Sequence, residues 1–215
     1  VSPVSTNAGP RSPKGAATRA RLVAAAKEVF EEVGFGEAKI ADIARRAGLS
    51  SHGAFYHYFE SKEAVFAEVA EALDELLGEP MQKVILARDS EPDPRKRLVT
   101  ALRQHLGAYR EEARIMGLIE QVARQDEGVA AVRFKHTSQH RDDIARSVRH
   151  LQRVGAADKT LDPVIAAAAL GAMSERFAEM WLVQGFLDCD LDTAAETLAA
   201  LMVNALQMTE EPTGP

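Results

Sequence analysis

Between Ile40 and Phe66 the chain reads IADIARRAGLSSHGAFYHYFESKEAVF, which sets Arg45, Arg46, His52, Tyr56, His57, Tyr58 and Lys62 around one Ala-Gly-Leu-Ser turn. Cations and rings bearing hydrogen-bonding atoms are the groups that neutralise phosphate and read base edges. Other patterns invite a chemical reading and carry less. His136 and His140 lie four apart and share one helical face, but two ligands do not make a metal site, and a solvated or partly buried helix face is the preferred reading. The single cysteine, Cys189, can form no internal disulfide and has no second cysteine for a metal cluster. The chain has no Gly-x-Ser-x-Gly elbow, no Gly-rich phosphate loop and no Cys-x-x-Cys, and no histidine stands beside an evident nucleophile. Neither catalysis nor a cofactor is expected.

Charge supports the first pattern by its distribution, not by its total. The 215 residues carry a net charge of -6, yet Arg11 to Val65 holds nine basic and seven acidic residues, a balance of +2 that leaves -8 for the rest. Such an asymmetry fits a small anion-binding head on an acidic body, and equally an ordinary solvated surface. With 46% hydrophobic residues the chain can bury a substantial core. No run approaches the roughly 20 apolar residues of a membrane span, and VSPVSTNAGPRSPKGAATR lacks the apolar centre of a signal peptide, so a cytoplasmic location is expected.

The elements that must position these groups are helices, and no alternating strand pattern interrupts them. Leu22, Ala25, Ala26, Val29, Phe30 and Val33 recur at helical spacing from about Ala16, and Gly34 suits a left-handed stop. Ile40, Ile43, Ala44 and Ala47 repeat the spacing in a short second helix, Gly48 turns the chain, and Ser50 is placed to cap a third helix of about two turns. Ser61 caps a longer fourth helix running toward Arg88, with Phe66, Val69, Leu73, Leu76 and Leu77 on its apolar face. After SEPDPRKR, helical stretches follow at 94–111, 112–125, 128–154, 162–186 and 192–208. The fold class is all-α, about nine helices: a flexible arm at 1–15, a three-helix head at 16–62, a larger helical body at 63–209 and a tail at 210–215.

Two short helices about a Gly-containing turn form a helix-turn-helix, whose second helix enters the DNA major groove. Ile40, Ile43, Ala44, Leu49, Phe55 and Phe59 supply its inward face, which leaves Ser51, His52, Ala54, His57 and Tyr58 outward. Small residues at the start of the third helix let its backbone N–H groups approach phosphate, and Lys62 adds a charge at the start of the fourth. Tyr56 and Tyr58 have a competing role as packing rings with wet hydroxyls. Adjacent arginines point in different directions, so Arg46 is taken as solvated.

These residues also carry a family likeness. The Ile-Ala pair, the Gly-hydrophobic-Ser turn, the small residue two before Tyr56, the YHYF run and the Ser-Lys-Glu opening resemble the signature of the tetracycline-repressor (TetR) family, ungapped over about Ala16 to Phe66. The resemblance implies a homodimeric repressor of palindromic operator DNA, released by a small ligand bound in the helical body. It implies phosphate contacts from Tyr56 and Lys62, base or backbone contacts from His52, Ala54, His57 and Tyr58, and clamping by Lys39 and Arg45; Ser51 and Gly53 complete the DNA-contacting set. Ala38 and Lys39 stand where the family commonly has capping Thr residues, so Lys39 brings charge where hydroxyls are usual.

In the body, the helix PVIAAAALGAMSERFAEMWLVQGF has an apolar surface too broad for one seam and should pack on two sides. The expected wall of a small hydrophobic effector's pocket is Leu102, Leu106, Tyr109, Met116, Ile119, Met173, Phe177 and Trp181, each of which could equally fill the core. Arg114 and Arg176 suit a ligand carboxylate, while Glu120, Glu175 and Glu179 suit a cation. On the last helix Leu191, Ala195, Leu198, Met202, Ala205 and Leu206 form one stripe, expected to pair across a two-fold axis. A ligand-responsive DNA-binding repressor is the expected function. An all-α enzyme or small-ligand carrier without DNA binding is the alternative.

Overall fold

The computed structural model describes residues 12–86, 91 and 93–209, and among them every regular element is helical. The termini of the expected arm and tail, 1–11 and 210–215, lie outside the described residues. Residues 13–15 of that arm are already the first turn of α1 (Pro13–Glu37), because Ser12 caps it by accepting from the Gly15 N–H at 3.2 Å and Pro13 presets the helical φ. Contacts divide the chain into two compact units. One contains the described residues up to Ala72 with Gly117–Arg133, the other Leu73–Met116 with the described residues from Phe134 onward.

In the first unit, α1 buries Thr18, Leu22, Ala25, Ala26, Val29 and Phe30, while Val33, expected on the same face, is 49% exposed. The helix breaks where sequence placed its end, but Gly34 takes φ 81° with ψ 165° instead of a left-handed helical turn. That region is open essentially only to glycine. The break folds Phe35 back onto Phe30 (centroids 5.6 Å apart) and onto Phe66 (4.8 Å), which themselves meet edge-on at 4.9 Å. Helix α2 (Ile40–Arg46) buries Ile43 and Ala44 and ends at Gly48, whose φ of 74° lets the Leu49 N–H reach back to the Ala44 carbonyl at 2.9 Å. Ser61 caps α3 (Lys62–Leu86) as expected, its hydroxyl accepting from the Ala64 N–H at 3.0 Å. Val65, Phe66, Val69 and Ala70 of α3 are buried, and the Phe66 contacts tie this turn to α1. The N-terminal stretch of this unit runs to Ala72, past residues 62/63, and Gly117–Arg133 completes the unit.

The second unit holds the remaining turns of α3, then α4 (Pro94–Glu111), most of α6 (Glu127–Val154), α7 (Pro163–Ala178) and α8 (Leu191–Ala205); the boundary falls within α5 (Ala113–Ala123). Leu76, expected on the inner face of α3, is 51% exposed, whereas Leu73 and Leu77 are buried. Asp93, Asp162 and Asp190 cap α4, α7 and α8 through their carboxylates, two of them ahead of a proline, which is why these starts were legible locally. Helix α4 packs on α8: it buries Ala101, Leu102, Leu106 and Tyr109, and α8 buries Ala194, Ala195, Leu198, Ala199 and Met202. The helix expected to run to 186 widens after Ala178 into a π-helical turn, Glu179–Val183, which contains Trp181. Among the described residues no helix is long and apolar enough to cross a membrane.

Candidate nucleic-acid interface

The segment after the turn, His52–His57, is a 3-10 helix and not the expected α-helix. Ser51, not Ser50, sits at its N-cap and makes no side-chain capping bond, and the segment closes through i to i+3 bonds such as Ala54 N–H to Ser51 carbonyl at 3.2 Å. Glycine and four ring-bearing residues in six positions are poor α-formers, which favours the tighter, shorter geometry. Six residues of 3-10 helix sum to little dipole, so what this segment offers an anion is its side chains. Sequence still assigned the two faces correctly at the core. Phe55 and Phe59 are buried with ring centroids 5.6 Å apart, and Ile43 and Ala44 lie beneath the same turn, while Ile40 and Leu49 are only half-buried.

On the other face Ser51, His52, Gly53, Tyr56 and His57 are exposed, while Ala54 and Tyr58 are half-buried. Tyr56 is 51% exposed although its ring leans edge-on against Phe55 at 5.6 Å, so packing fixes the ring and leaves the hydroxyl in solvent. A Cβ at Gly53 would meet only the Ser51 hydroxyl, at 3.8 Å, so nothing within the chain demands glycine there. Lys39 is exposed and occupies the N-cap of α2 without a side-chain capping bond, as expected from the missing Thr. Arg45 is exposed, with a surface bond to Asp42 at 2.6 Å that costs little to give up. Arg46 is not merely solvated: it makes a fork to Glu32 at 2.6 and 2.7 Å, which raises its pKa further above the ordinary guanidinium value and ties α2 to α1.

Lys62 requires a correction. Its ammonium donates to the carbonyls of Phe35 (2.7 Å), Gly36 (3.2 Å) and Ala38 (3.3 Å) and lies 4.6 Å over the Phe35 ring. An ammonium has three donors, and the corner that follows the Gly34 break engages them all. Lys62 therefore acts as a clamp on the α1–α2 corner instead of standing free to meet phosphate.

Arg19 was counted from sequence only as part of the basic balance. In the structure its Nη1 donates to the Tyr58 carbonyl at 2.5 Å, its Nε and Nη2 form a fork onto Glu68, and its guanidinium lies 4.1 Å over the Phe59 ring. A signal was available: Arg19 precedes the buried Leu22 and Ala26 by three and seven residues, which sets a cation at the edge of an apolar helical face.

The body candidates fare differently. Leu102, Leu106, Tyr109, Met116 and Trp181 are buried, Met173 and Phe177 are half-buried, and the Phe177 and Trp181 rings are 5.8 Å apart, all within the second unit. Ile119 is buried in the first unit. Several of the polar candidates have partners inside the chain: Arg176 binds Glu179 at 2.6 Å, and Glu120 binds Arg133 at 2.7 Å. The stripe expected at a two-fold axis is corrected as well. Ala195, Leu198, Met202 and Leu206 are 0–5% exposed within one chain and Leu191 is half-buried, leaving only Ala205 in solvent. These residues face the chain's own core, where α8 meets α4, with the Leu191 side chain 3.7 Å from the Cβ position of Gly107. The side chain of His136 lies outside the described residues, and no group of three metal-capable side chains occurs among the described ones.

Residues 22–69 match the family of bacterial regulatory proteins, tetR family. Over 197 residues, 90% of this chain and 92% of the relative, the sequence is 29% identical to the HTH-type transcriptional regulator YdgC of Bacillus subtilis, itself uncharacterized. The fold superposes on a Mesorhizobium loti protein assigned to the TetR family with a TM-score of 0.78 at 18% identity, covering 90% of this chain and 98% of that one. It also superposes on SmeT, the repressor of the Stenotrophomonas maltophilia multidrug efflux pump SmeDEF, with a TM-score of 0.70 at 22% identity over 93% and 98% of the two chains; SmeT is known as well in complex with triclosan. The helix-turn-helix geometry and the match across it agree: residues 22–69 are a tetR-family regulatory domain, and the chain as a whole resembles helix-turn-helix transcriptional regulators in sequence and TetR-family structures in fold.

Proposed function

We propose that the protein is a ligand-responsive repressor that binds a palindromic operator as a homodimer. The observation that carries the DNA half is the exposed row Ser51, His52, Gly53, Tyr56 and His57 held on a buried Phe55–Phe59 pair. His52 and His57 offer ring nitrogens to base edges or phosphates, Tyr56 offers its hydroxyl to phosphate, and Lys39 and Arg45 supply flanking charge. Ala54 and Tyr58, half-buried, contribute at the margin, and Lys62 acts through the corner it holds.

For assembly, the exposed face of α7 replaces the buried α8 stripe. Ile165 is 71% exposed and Val164 39%, and Ala168, Ala169 and Ala172 continue the exposed apolar strip at helical spacing. Small residues allow a second copy's helix to approach closely, and a two-fold axis there gives the paired heads that a palindrome with half-sites about 34–36 Å apart requires. For the effector, Tyr109, Met116, Met173, Phe177 and Trp181, together with Leu102 and Leu106, favour a hydrophobic molecule. The triclosan complex of SmeT supports that class by analogy. The π-helical turn at Trp181 adds weight, since such turns frequently mark functional sites.

The test is selection of DNA from a random duplex pool, followed by fluorescence anisotropy on the enriched sequence with and without triclosan and a panel of similarly hydrophobic compounds. The reading expects an enriched palindrome, and release by a compound that also changes the emission of the single Trp181. A ligand that lowers operator affinity a hundredfold must prefer the DNA-free arrangement by about 2.7 kcal/mol. Failure to enrich any sequence would defeat the DNA half. Release without any Trp181 change would move the effector site elsewhere.

A further inference from the structure

We propose that Arg19 is a positioning residue for DNA recognition, one that fixes the end of the reading segment against α1 and α3. The proposal rests on the DNA-binding reading above and goes beyond it, because Arg19 is not one of the residues assigned there to contact DNA. A 3-10 helix of six residues has few internal bonds, so its orientation is set by what holds its two ends. At the leading end, the Leu49 N–H is held by the Ala44 carbonyl at 2.9 Å. At the trailing end, Tyr58 caps the segment, and its carbonyl accepts from Arg19 Nη1 at 2.5 Å.

The same guanidinium is fixed in two further directions. Nε donates to Glu68 Oε1 at 3.0 Å and Nη2 to Glu68 Oε2, which anchors it to the second turn of α3, and its face covers the Phe59 ring at 4.1 Å. A planar fork meeting a carboxylate, a carbonyl and a ring at once is an arrangement lysine cannot copy. Tyr56 and His57 immediately precede the held carbonyl. A small rotation of the segment would carry both out of register with a groove, and recognition groups must be held to within roughly 0.5 Å. The Arg19 and Glu68 side chains are 23% and 30% exposed, so the fork is largely shielded and its loss should cost some stability as well as pose. The larger effect should fall on pose, because the Tyr58 carbonyl it holds ends the reading segment.

Arg19→Lys tests this because it keeps the charge and loses the fork; Glu68→Gln removes the anchor while leaving Arg19 in place. The probes are an operator enriched from a random pool by the wild-type protein and a scrambled duplex of the same length. For Arg19→Lys the expected result is a loss of operator affinity of roughly tenfold or more, with scrambled-duplex affinity unchanged within about twofold. Amide exchange should rise across 52–59, the far-ultraviolet circular dichroism should be unaltered, and the melting temperature should fall only modestly. Glu68→Gln should show a smaller loss in the same direction. If the wild-type protein binds its operator and both variants match it, Arg19 does not position the segment. If both duplexes weaken together along with the melting temperature, the role is general stability and the proposal is wrong. If the wild-type protein enriches no sequence, the DNA-binding reading itself fails and takes the proposal with it.

Discussion

The segment His52–His57 and helix α8 each carry a row of side chains that sequence spacing assigned to a partner outside the chain, and the structure treats the two rows in opposite ways. His52, Tyr56 and His57 stay in solvent, whereas Ala195, Leu198 and Met202 are covered by the chain's own core. The difference lies in what each row is made of. Polar rings standing opposite a buried Phe55 and Phe59 have no use for the core, because burying them would demand partners for every polar atom. An apolar stripe is satisfied by any apolar cover, and helical period does not say whether that cover is a second copy or α4.

This contrast can be broken first on α8. Leu198→Ala should cost about 2–5 kcal/mol of stability, as a buried leucine does, with no dependence on protein concentration. A loss that appears only on dilution would return the stripe to the dimer interface. On the reading segment, His52→Ala should leave the melting temperature unchanged and shift operator affinity by about 1–3 kcal/mol, with altered base preference. An equal effect on every duplex would make His52 a phosphate ligand.

How much of this was legible in the sequence follows from the range of the interactions. Capping residues act within one turn, so Ser61, Pro94 and Pro163 announced helix starts that the structure reproduces. The core rings Phe55 and Phe59 were legible because four-residue spacing brings them to one face. The 3-10 character of the segment was not, since an i, i+3, i+4 pattern serves both helix types over so few residues. Spacing could set Arg19 at the edge of an apolar face but could give neither it nor Lys62 a partner: their carbonyl partners, Tyr58 and Phe35, are brought to them only after Gly34 breaks α1 and the chain has turned.

Lys62→Ala sharpens the point. It should weaken operator binding by about 1 kcal/mol through a loosened corner, while leaving the slope of log affinity against log salt unchanged. A slope reduced by about one would instead make Lys62 a phosphate ligand.

The smallest effect is expected at His105, which is buried beside the Leu77 carbonyl, 3.3 Å from its Nδ1. Burial pushes its pKa below the ordinary imidazole value, with His140 pushing the same way and the carbonyl opposing. The unfolded chain then binds a proton that the folded chain refuses. Stability from this residue is therefore full above about pH 6.5 and falls as the pH drops toward the lowered folded value. Denaturant midpoints between pH 7 and pH 5 should decline less for His105→Gln than for the wild-type protein. An equal decline would place the pH dependence in other groups.

The central claim is that the exposed row on His52–His57 binds operator DNA, and the salt dependence of wild-type binding tests it most directly. A duplex enriched from a random pool should bind with log affinity falling linearly against log salt at a slope of about -0.9 per neutralised phosphate, and Tyr56→Phe should weaken that binding without unfolding the head. A pool that enriches nothing, or an affinity indifferent to both salt and Tyr56→Phe, would contradict it.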